Sequence, residues 1–291
     1  MEDFIYLCRI LGGLNELVQY GGGNISVKDN NEFIIKSSGY SLAEITNEQG
    51  YVVMILEKLK QLDFTLDNEP NLNEFIIKNK NPSIETYFHI FLKKYVVHLH
   101  PTLINLELCK ENSNINAIDY IKPGYDLAKE IYKQYNGQNI IYLKNHGIIF
   151  TSDNLEELKT IMVNTYNSFR KDDTFVDLNE YFKLYNKICK NNEILYRLPI
   201  EFQKYSEIKK IEPYTPDIIV YLGNEINMGK SIIYIYNDIY IKADSKYKCY
   251  KIMEVLESYY YLYKNNSITI DQESAKSIKN WDKEIFRQNL N

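Results

Sequence analysis

Four histidines occur in this chain of 291 residues. They are His89, His98, His100 and His146, and three of them fall in two short signatures, His98-Leu99-His100-Pro101 and Asn145-His146-Gly147. Imidazole is the commonest metal-ligating side chain and the one best suited to move protons near neutral pH. On a strand, residues i and i+2 project from the same face, so His98 and His100 point into one volume. His146, at the end of a second apolar stretch with glycine behind it, offers a third corner. Three histidines with an open position form a common catalytic zinc arrangement, although imidazole also suits manganese, iron and cobalt. A cation held this way acts as a Lewis acid on a carbonyl or enediolate oxygen. A lone His-x-His is more often structural. The second signature, in a chain so poor in histidine, turns the reading towards a metal.

Glu85 and His89 stand four apart in a stretch that reads as helix and so share a face. Either they form an intrahelical pair, or Glu85 faces the cation as general acid/base or resting fourth ligand. The second reading is preferred, with His89 in a structural role. Two small-residue turns, Gly21-Gly22-Gly23-Asn24 and Lys36-Ser37-Ser38-Gly39, bound one hairpin. Glycine lets backbone N–H groups approach an anion, while Asn24, Lys36 and Ser38 add donors. Ser83 opens a helix, whose N-terminus favours negative charge. Neither turn has the spacing of a nucleotide loop. Beside a cation, Asn24, Lys36, Ser38, Gly39 and Ser83 outline a pocket for a small phosphorylated substrate.

The elements that must position these residues are legible from periodicity. Apolar positions at Phe4, Leu7, Ile10, Leu11, Leu14, Leu17 and Val18 predict a helix over 2–20, stopped by Gly21-Gly22-Gly23. Strands 24–28 and 32–36 flank an Asp29-Asn30-Asn31 turn and form a hairpin. Helix 83–94 with Ser83 as N-cap, strand 95–100, helix 123–135, strand 139–144 continuing through 148–150, and a helix over 154–170 capped by Thr151-Ser152-Asp153 follow. Alternating strands and helices with antiparallel hairpins predict a mixed α/β sheet. Beyond about 171 the chain is charged and less regular. Strand-like stretches at 217–222 and 231–242, the latter a hairpin about Asn237-Asp238, then precede a helix near 244–264 and a polar tail.

Composition sets outer bounds. The length suits one large domain or two modest ones, with enough apolar content for a full core. A formal net charge of −5, with lysine pairs such as Lys93-Lys94 and Lys209-Lys210 read as solvated surface, argues against a nucleic-acid binder. No apolar run reaches membrane-spanning length and no basic n-region precedes an apolar stretch, so a cytoplasmic protein without membrane partners is expected. Cys8, Cys109, Cys189 and Cys249 are widely spaced and read as reduced thiols. With 27 tyrosines present, no single tyrosine can be singled out for a role.

Taken in order, Gly-Gly-Asn-Ile-Ser (22–26), Ile-Lys-Ser-Ser-Gly (35–39), Pro-Ser-Ile-Glu-Thr (82–86) with His89, His-Leu-His-Pro (98–101) and Lys-Asn-His-Gly (144–147) resemble the class II aldolase/adducin family. The resemblance covers about residues 5–170. Its wording is most similar to the aldolase half of bifunctional rhamnulose-1-phosphate aldolase/alcohol dehydrogenases, through Ser38 to Ala43, Lys122 to Ala128 and Tyr214 to Asp217. No dehydrogenase activity is carried over, because no nucleotide-binding glycine loop follows residue 265.

The resemblance implies an α/β/α sandwich around a mainly antiparallel sheet. It implies His98, His100 and His146 as ligands of Zn2+ or another divalent transition metal, and Glu85 as catalytic acid/base. It also implies Asn24, Ser38, Gly39 and Ser83 near a substrate phosphate. Ile84 departs from the family, where a second hydroxyl residue is common, and Lys36 could offset that loss. The expected organisation is a metal domain over 1–190 and an α/β extension over 191–291 packed on the same unit. The expected activity is metal-dependent cleavage or formation of a carbon–carbon bond in a small sugar or sugar phosphate, through a metal-stabilised enediolate. Epimerisation, decarboxylation or dehydration on the same site is the alternative, and a non-catalytic adducin-like scaffold a further one. A homo-oligomer, possibly a tetramer, is expected.

Overall fold

A computed structural model describes residues 1–190, 192–199, 202, 205, 208, 210–215, 218–222, 233–235, 238–265 and 267–279. It divides into two compact units, Met1–Lys183 and Leu184–Asn291.

The first unit is built on seven strands: β1 (Asn24–Asp29), β2 (Glu32–Lys36), β3 (Tyr51–Ile55), β4 (Ile76–Lys78), β5 (Tyr95–Leu99), β6 (Ile140–Leu143) and β7 (Gly147–Ser152). They form one sheet in the order β4-β3-β2-β1-β5-β7-β6, and every pairing in it is antiparallel. This is an α/β fold with a mainly antiparallel central sheet. Its helices are α1 (Glu2–Gly12), α2 (Leu56–Leu59), α3 (Thr86–Phe91), α4 (Thr102–Leu108), α5 (Tyr125–Gln134), α6 (Leu155–Ser168) and α7 (Leu178–Ile188), the last crossing the division between the units.

Alternation along the strands builds a core on each face. Phe33, Ile35, Val96 and Ile149 join Phe88, Ile90, Leu127 and Ile131 of α3 and α5 in one buried cluster. The intervening Ile25, Ile34, Val97 and Ile148 are buried on the other face, where α1 contacts β1 and α6 contacts β7. On β1 the α3-facing set is Asn24, Ser26 and Lys28, all buried. Three buried polar side chains on one strand face need partners, and that need shapes both sites described below.

Several sequence expectations are corrected. The first helix ends at Gly12 and not at the triple glycine. A Cβ on Gly12 would lie 2.4 Å from the Ala43 backbone nitrogen, so glycine permits close packing at the last residue of the helix. Leu14, Leu17 and Val18 keep helical spacing but are buried from turns. The helix expected over 83–94 shrinks to Thr86–Phe91. The cap of α6 is Asn154, whose side chain accepts from the Glu157 N–H at 2.9 Å, in place of residues 151–153. The irregular stretch beyond 171 contains α7, and β3, β4 and α4 were not foreseen.

In the second unit β8 (Ile194–Arg197), β10 (Ile239–Ala243) and β9 (Ile233–Ile235) form an antiparallel sheet in the order β8-β10-β9. The β9–β10 hairpin agrees with expectation, although Asn237 of its turn lies outside the described residues. Ile218–Leu222 is a short π-helical turn and not a strand. An apolar run without alternation leaves helix and strand undecided, and packing chose the helix. Helices α8 (Lys246–Lys264) and α9 (Gln272–Lys279) complete the unit. Lys209, Pro216 and Asp217 lie outside the described residues. No helix among the described residues is long and apolar enough to cross a membrane.

Candidate metal centre

Pairing of β5 between β1 and β7 brings the two histidine signatures together. Asn24 stands opposite His98 across β1–β5, and Ile149 stands opposite His98 across β5–β7. His98 is the penultimate residue of β5, and His100 lies just past the strand, its N–H donating to Leu17 O at 3.1 Å. His146 sits in the turn from β6 to β7, after Asn145 at a φ of 54°. Asparagine tolerates that left-handed conformation better than most residues. Gly147 is required by contact: a Cβ there would stand 2.2 Å from Leu99 O. Gly22 plays the same part on the opposite side, since its Cβ would lie 2.9 Å from His100 Nδ1. The triple glycine therefore serves the close approach of a loop to the histidine strand. Asn105, from α4, donates to His146 O at 3.2 Å.

The ring nitrogens converge. His98 Nε2 lies 3.0 Å from His100 Nε2 and 3.3 Å from His146 Nε2. Glu85 brings Oε2 to 3.5 Å from His98 Nε2 and Oε1 to 3.3 Å from His146 Nε2. One donor atom from each of Glu85, His98, His100 and His146 falls within 4.8 Å of the other three. A tetrahedral ion with bonds of about 2.1 Å spaces its ligands by about 3.4 Å.

The protonation pattern fits a cation too. His98 Nδ1 lies 3.0 Å from Ile148 O. A carbonyl only accepts, so Nδ1 carries the proton and Nε2 presents its lone pair to the cluster. Burial, with His146 beside it, lowers His98 to about 3; burial and both other rings lower His100 to about 3. Burial also lowers His146, against the pull of Glu85. All three rings are therefore held towards the neutral form, in which each keeps one nitrogen lone pair that a cation can take. Glu85 Oε1 is buried without a hydrogen-bond partner among the described residues. That leaves an acceptor facing the same gap, and the residues present fit a divalent metal.

Behind the cluster runs a buried chain of hydrogen bonds. Asn24 Nδ2 donates to Glu85 Oε2 at 2.8 Å. Asn24 Oδ1 is in contact with His89 Nε2, which must donate, because the oxygen only accepts. His89 Nδ1 is then the acceptor for Ser26 Oγ at 2.8 Å. His89 is fully buried, and desolvation pushes its pKa well below the ordinary value, so the ring stays neutral. Glu85 itself is the N-cap residue of α3 and not a member of the helix. Glu85 and His89 therefore meet through Asn24, rather than side by side along a helix. The signal for this chain was present in the Asn24-x-Ser26 alternation on β1, which the sequence reading did not use.

The proposed anion residues divide into two groups. Ser38 and Gly39 are exposed in the turn after β2, where Gly39 has a φ of 87° and open space around it. Ser38 N–H donates to Asn81 O at 2.8 Å and Ser83 N–H to Lys36 O at 3.1 Å, so these turns lie side by side. Ser83 Oγ accepts from Glu85 N–H at 3.3 Å, placing it next to the carboxylate. Ser83, Asn24 and Lys36 are buried, and Asn24 and Lys36 have their polar atoms engaged inside the protein. Lys36 Nζ donates to Tyr40 O at 2.7 Å and Gly21 O at 3.0 Å, tethering both turns from beneath.

This motif set matches a known family model, Class II Aldolase and Adducin N-terminal domain, over residues 2–171. The chain belongs to the class II aldolase and adducin family. Among curated relatives, it is 27% identical over 194 residues to the uncharacterized oxidoreductase YuxG of Bacillus subtilis, a match covering 56% of this chain and 28% of that protein. It is also 27% identical over 177 residues to the L-fuculose phosphate aldolase of Methanococcus maripaludis, covering 54% of this chain and 87% of that one. A solved N-terminal class II aldolase domain from Thermoplasma acidophilum superposes with a TM-score of 0.50 at 25% identity, covering 57% of this chain and 90% of that domain. The fold is thus that of a class II aldolase family member, and the family match lies within residues 2–171, which hold the His/Glu cluster.

Proposed function

We propose that the protein is a zinc-dependent lyase that cleaves or forms a carbon–carbon bond in a small sugar phosphate. The observation that carries this reading is the convergence of three imidazole Nε2 atoms and the Glu85 carboxylate, in a family whose relatives include an L-fuculose phosphate aldolase. His98, His100 and His146 hold the ion, and their neutral state keeps three lone pairs available near pH 7. When bound, the ion supplies Lewis acidity, drawing negative charge off the substrate's carbonyl oxygen as the bond breaks.

The remaining steps belong to the chain. Ser38, Gly39 and Ser83 bind the substrate's anionic group at the paired turns, and Lys36 and Asn24 fix those turns and the carboxylate from beneath. Glu85 moves the proton at Oε1, the oxygen left without a hydrogen bond. Cleavage removes a proton from the hydroxyl of the departing aldehyde, and the ketone fragment regains a proton on carbon. The metal domain is assigned to 1–190, with 191–291 as an extension.

The test is incubation of the zinc-loaded protein with L-fuculose 1-phosphate and other ketose 1-phosphates, with products identified by NMR. An aldehyde and a ketose-derived phosphate in equal amounts are expected. An isomeric sugar phosphate as sole product would replace the lyase by an epimerase. No turnover of any of them, with metal bound, would remove the reading.

A further inference from the structure

The α3-facing side of β1 carries a second polar residue of consequence. Lys28 lies four residues beyond Asn24, about 13 Å along the strand at roughly 3.3 Å per residue. It is buried, and its Nζ donates to Leu92 O at 2.5 Å and Lys93 O at 2.7 Å. An ammonium has three protons, so one remains for another acceptor.

Lys28 lines a cavity of about 500 Å³ together with Lys60, Lys93 and Lys94. That volume lies within the range of small-molecule sites. Burial, helped by the Lys60 ammonium and opposed by Asp153, lowers Lys28 to about 7. Asp153 is the only carboxylate in the lining among the described residues, and its Oδ1 already accepts from the Lys94 N–H at 3.0 Å. Lys93 Nζ turns aside to Asn139 Oδ1, and Lys94 Nζ lies over the Tyr95 ring at 5.2 Å. Lys28, whose Nζ also lies 5.9 Å from the Phe33 ring centroid, and Lys60 line the cavity without a carboxylate in ion-pair contact among the described residues. Burying one ammonium near another costs free energy that an opposite charge offsets.

The facing wall is aromatic. Phe64 meets Phe91 edge-on with centroids 4.9 Å apart and lies 5.6 Å from Tyr132, while Phe91 meets Tyr132 edge-on at 5.1 Å. All three rings line the cavity. Such a wall favours a flat apolar body over a hydrated ion.

We propose that this cavity binds a small aromatic anion, its charged head on Lys28 and Lys60 and its planar body against Phe64, Phe91 and Tyr132. The site stands apart from the histidine cluster and does not depend on the reaction proposed above.

Fluorescence titration of the full chain with 8-anilinonaphthalene-1-sulfonate tests it, followed by displacement with benzoate and with inorganic phosphate. Saturable binding is expected, displaced by benzoate and unchanged by chelation of the metal. Lys28→Met and Lys60→Ala should each weaken it about tenfold, the scale of one charge-assisted hydrogen bond. Lys60 is exposed, so its variant keeps the test decisive if Lys28→Met fails to fold. Absence of saturable binding, wild-type affinity in Lys60→Ala, or displacement by phosphate as effective as by benzoate would each overturn the proposal.

Discussion

Asn24 Nδ2 holds Glu85 Oε2 at 2.8 Å, joining the first strand to a carboxylate 61 residues further along the chain. The bond takes one carboxylate oxygen and leaves the other, Oε1, facing His146. Because His89 and Ser26 fix the amide from behind, the carboxylate is oriented before any substrate arrives. Asn24→Ala should lower kcat about 100-fold, the usual cost of a misplaced catalytic group, while bound metal and KM change little. Steady-state kinetics alongside metal analysis check this. Wild-type kcat in the variant would show that Glu85 needs no such support.

The roles of the cluster separate by substitution. Glu85→Gln keeps shape and three imidazoles, so the metal should remain while turnover falls about 100- to 10,000-fold. His98→Ala removes the central ring, which touches both other histidines, and should bring bound metal close to zero. Inductively coupled plasma mass spectrometry of the purified variants reads the difference. A metal-free Glu85→Gln protein would make the carboxylate a ligand and not a proton carrier.

Gly147 is a packing requirement on which the His146 turn depends. A Cβ placed 2.2 Å from Leu99 O forces β5 and β7 apart or displaces the turn. Gly147→Ala should cost about 1–3 kcal/mol of stability, the range for overpacked sites, and weaken metal binding with it. Thermal unfolding followed by circular dichroism, with and without zinc, measures both effects. An unchanged melting temperature would mean that the loop yields at no cost.

Acid should destabilise the metal-free protein. His98 and His100 are lowered to about 3 when folded, and His89 is lowered well below its ordinary value. Between about pH 6.5 and 3 the unfolded chain binds more protons than the folded one, so stability rises with pH across that window. It is fully present above 6.5 and is lost as pH falls towards 3. Chelator-treated protein melted at pH 7, 6, 5 and 4 should show a progressive fall in Tm. A flat profile over that range would mean that the rings protonate without unfolding, by opening to solvent.

How much of the site was legible depended on distance along the chain. His98 and His100 share a volume because strand geometry alone fixes the i, i+2 relation, and the β1–β2 hairpin was readable from alternation around Asp29-Asn30-Asn31. Glu85 was recognised by its residue type and motif but placed in the wrong local structure, since α3 begins only at Thr86. The helix of 2–20 was overextended because Leu14, Leu17 and Val18 keep helical spacing while buried from turns. Asn24 and Lys36 were read as open donors, yet both are buried, a fact no local pattern reports.

The sequence by itself determined the residue types of the candidate site, the pairing of His98 with His100 at the end of β5 and the family to which the chain belongs. Backbone geometry and side-chain chemistry act over a few residues and are written directly in the order of amino acids. Only the tertiary structure decided that β7 lies beside β5, bringing His146 to His98, and that Asn24, Ser26 and His89 close a chain onto Glu85. It alone gathered Lys28, Lys60 and three aromatic rings around a second cavity. Those relations depend on which strands pair and which helices cover them, and that choice is made by packing the whole sheet rather than by any one segment.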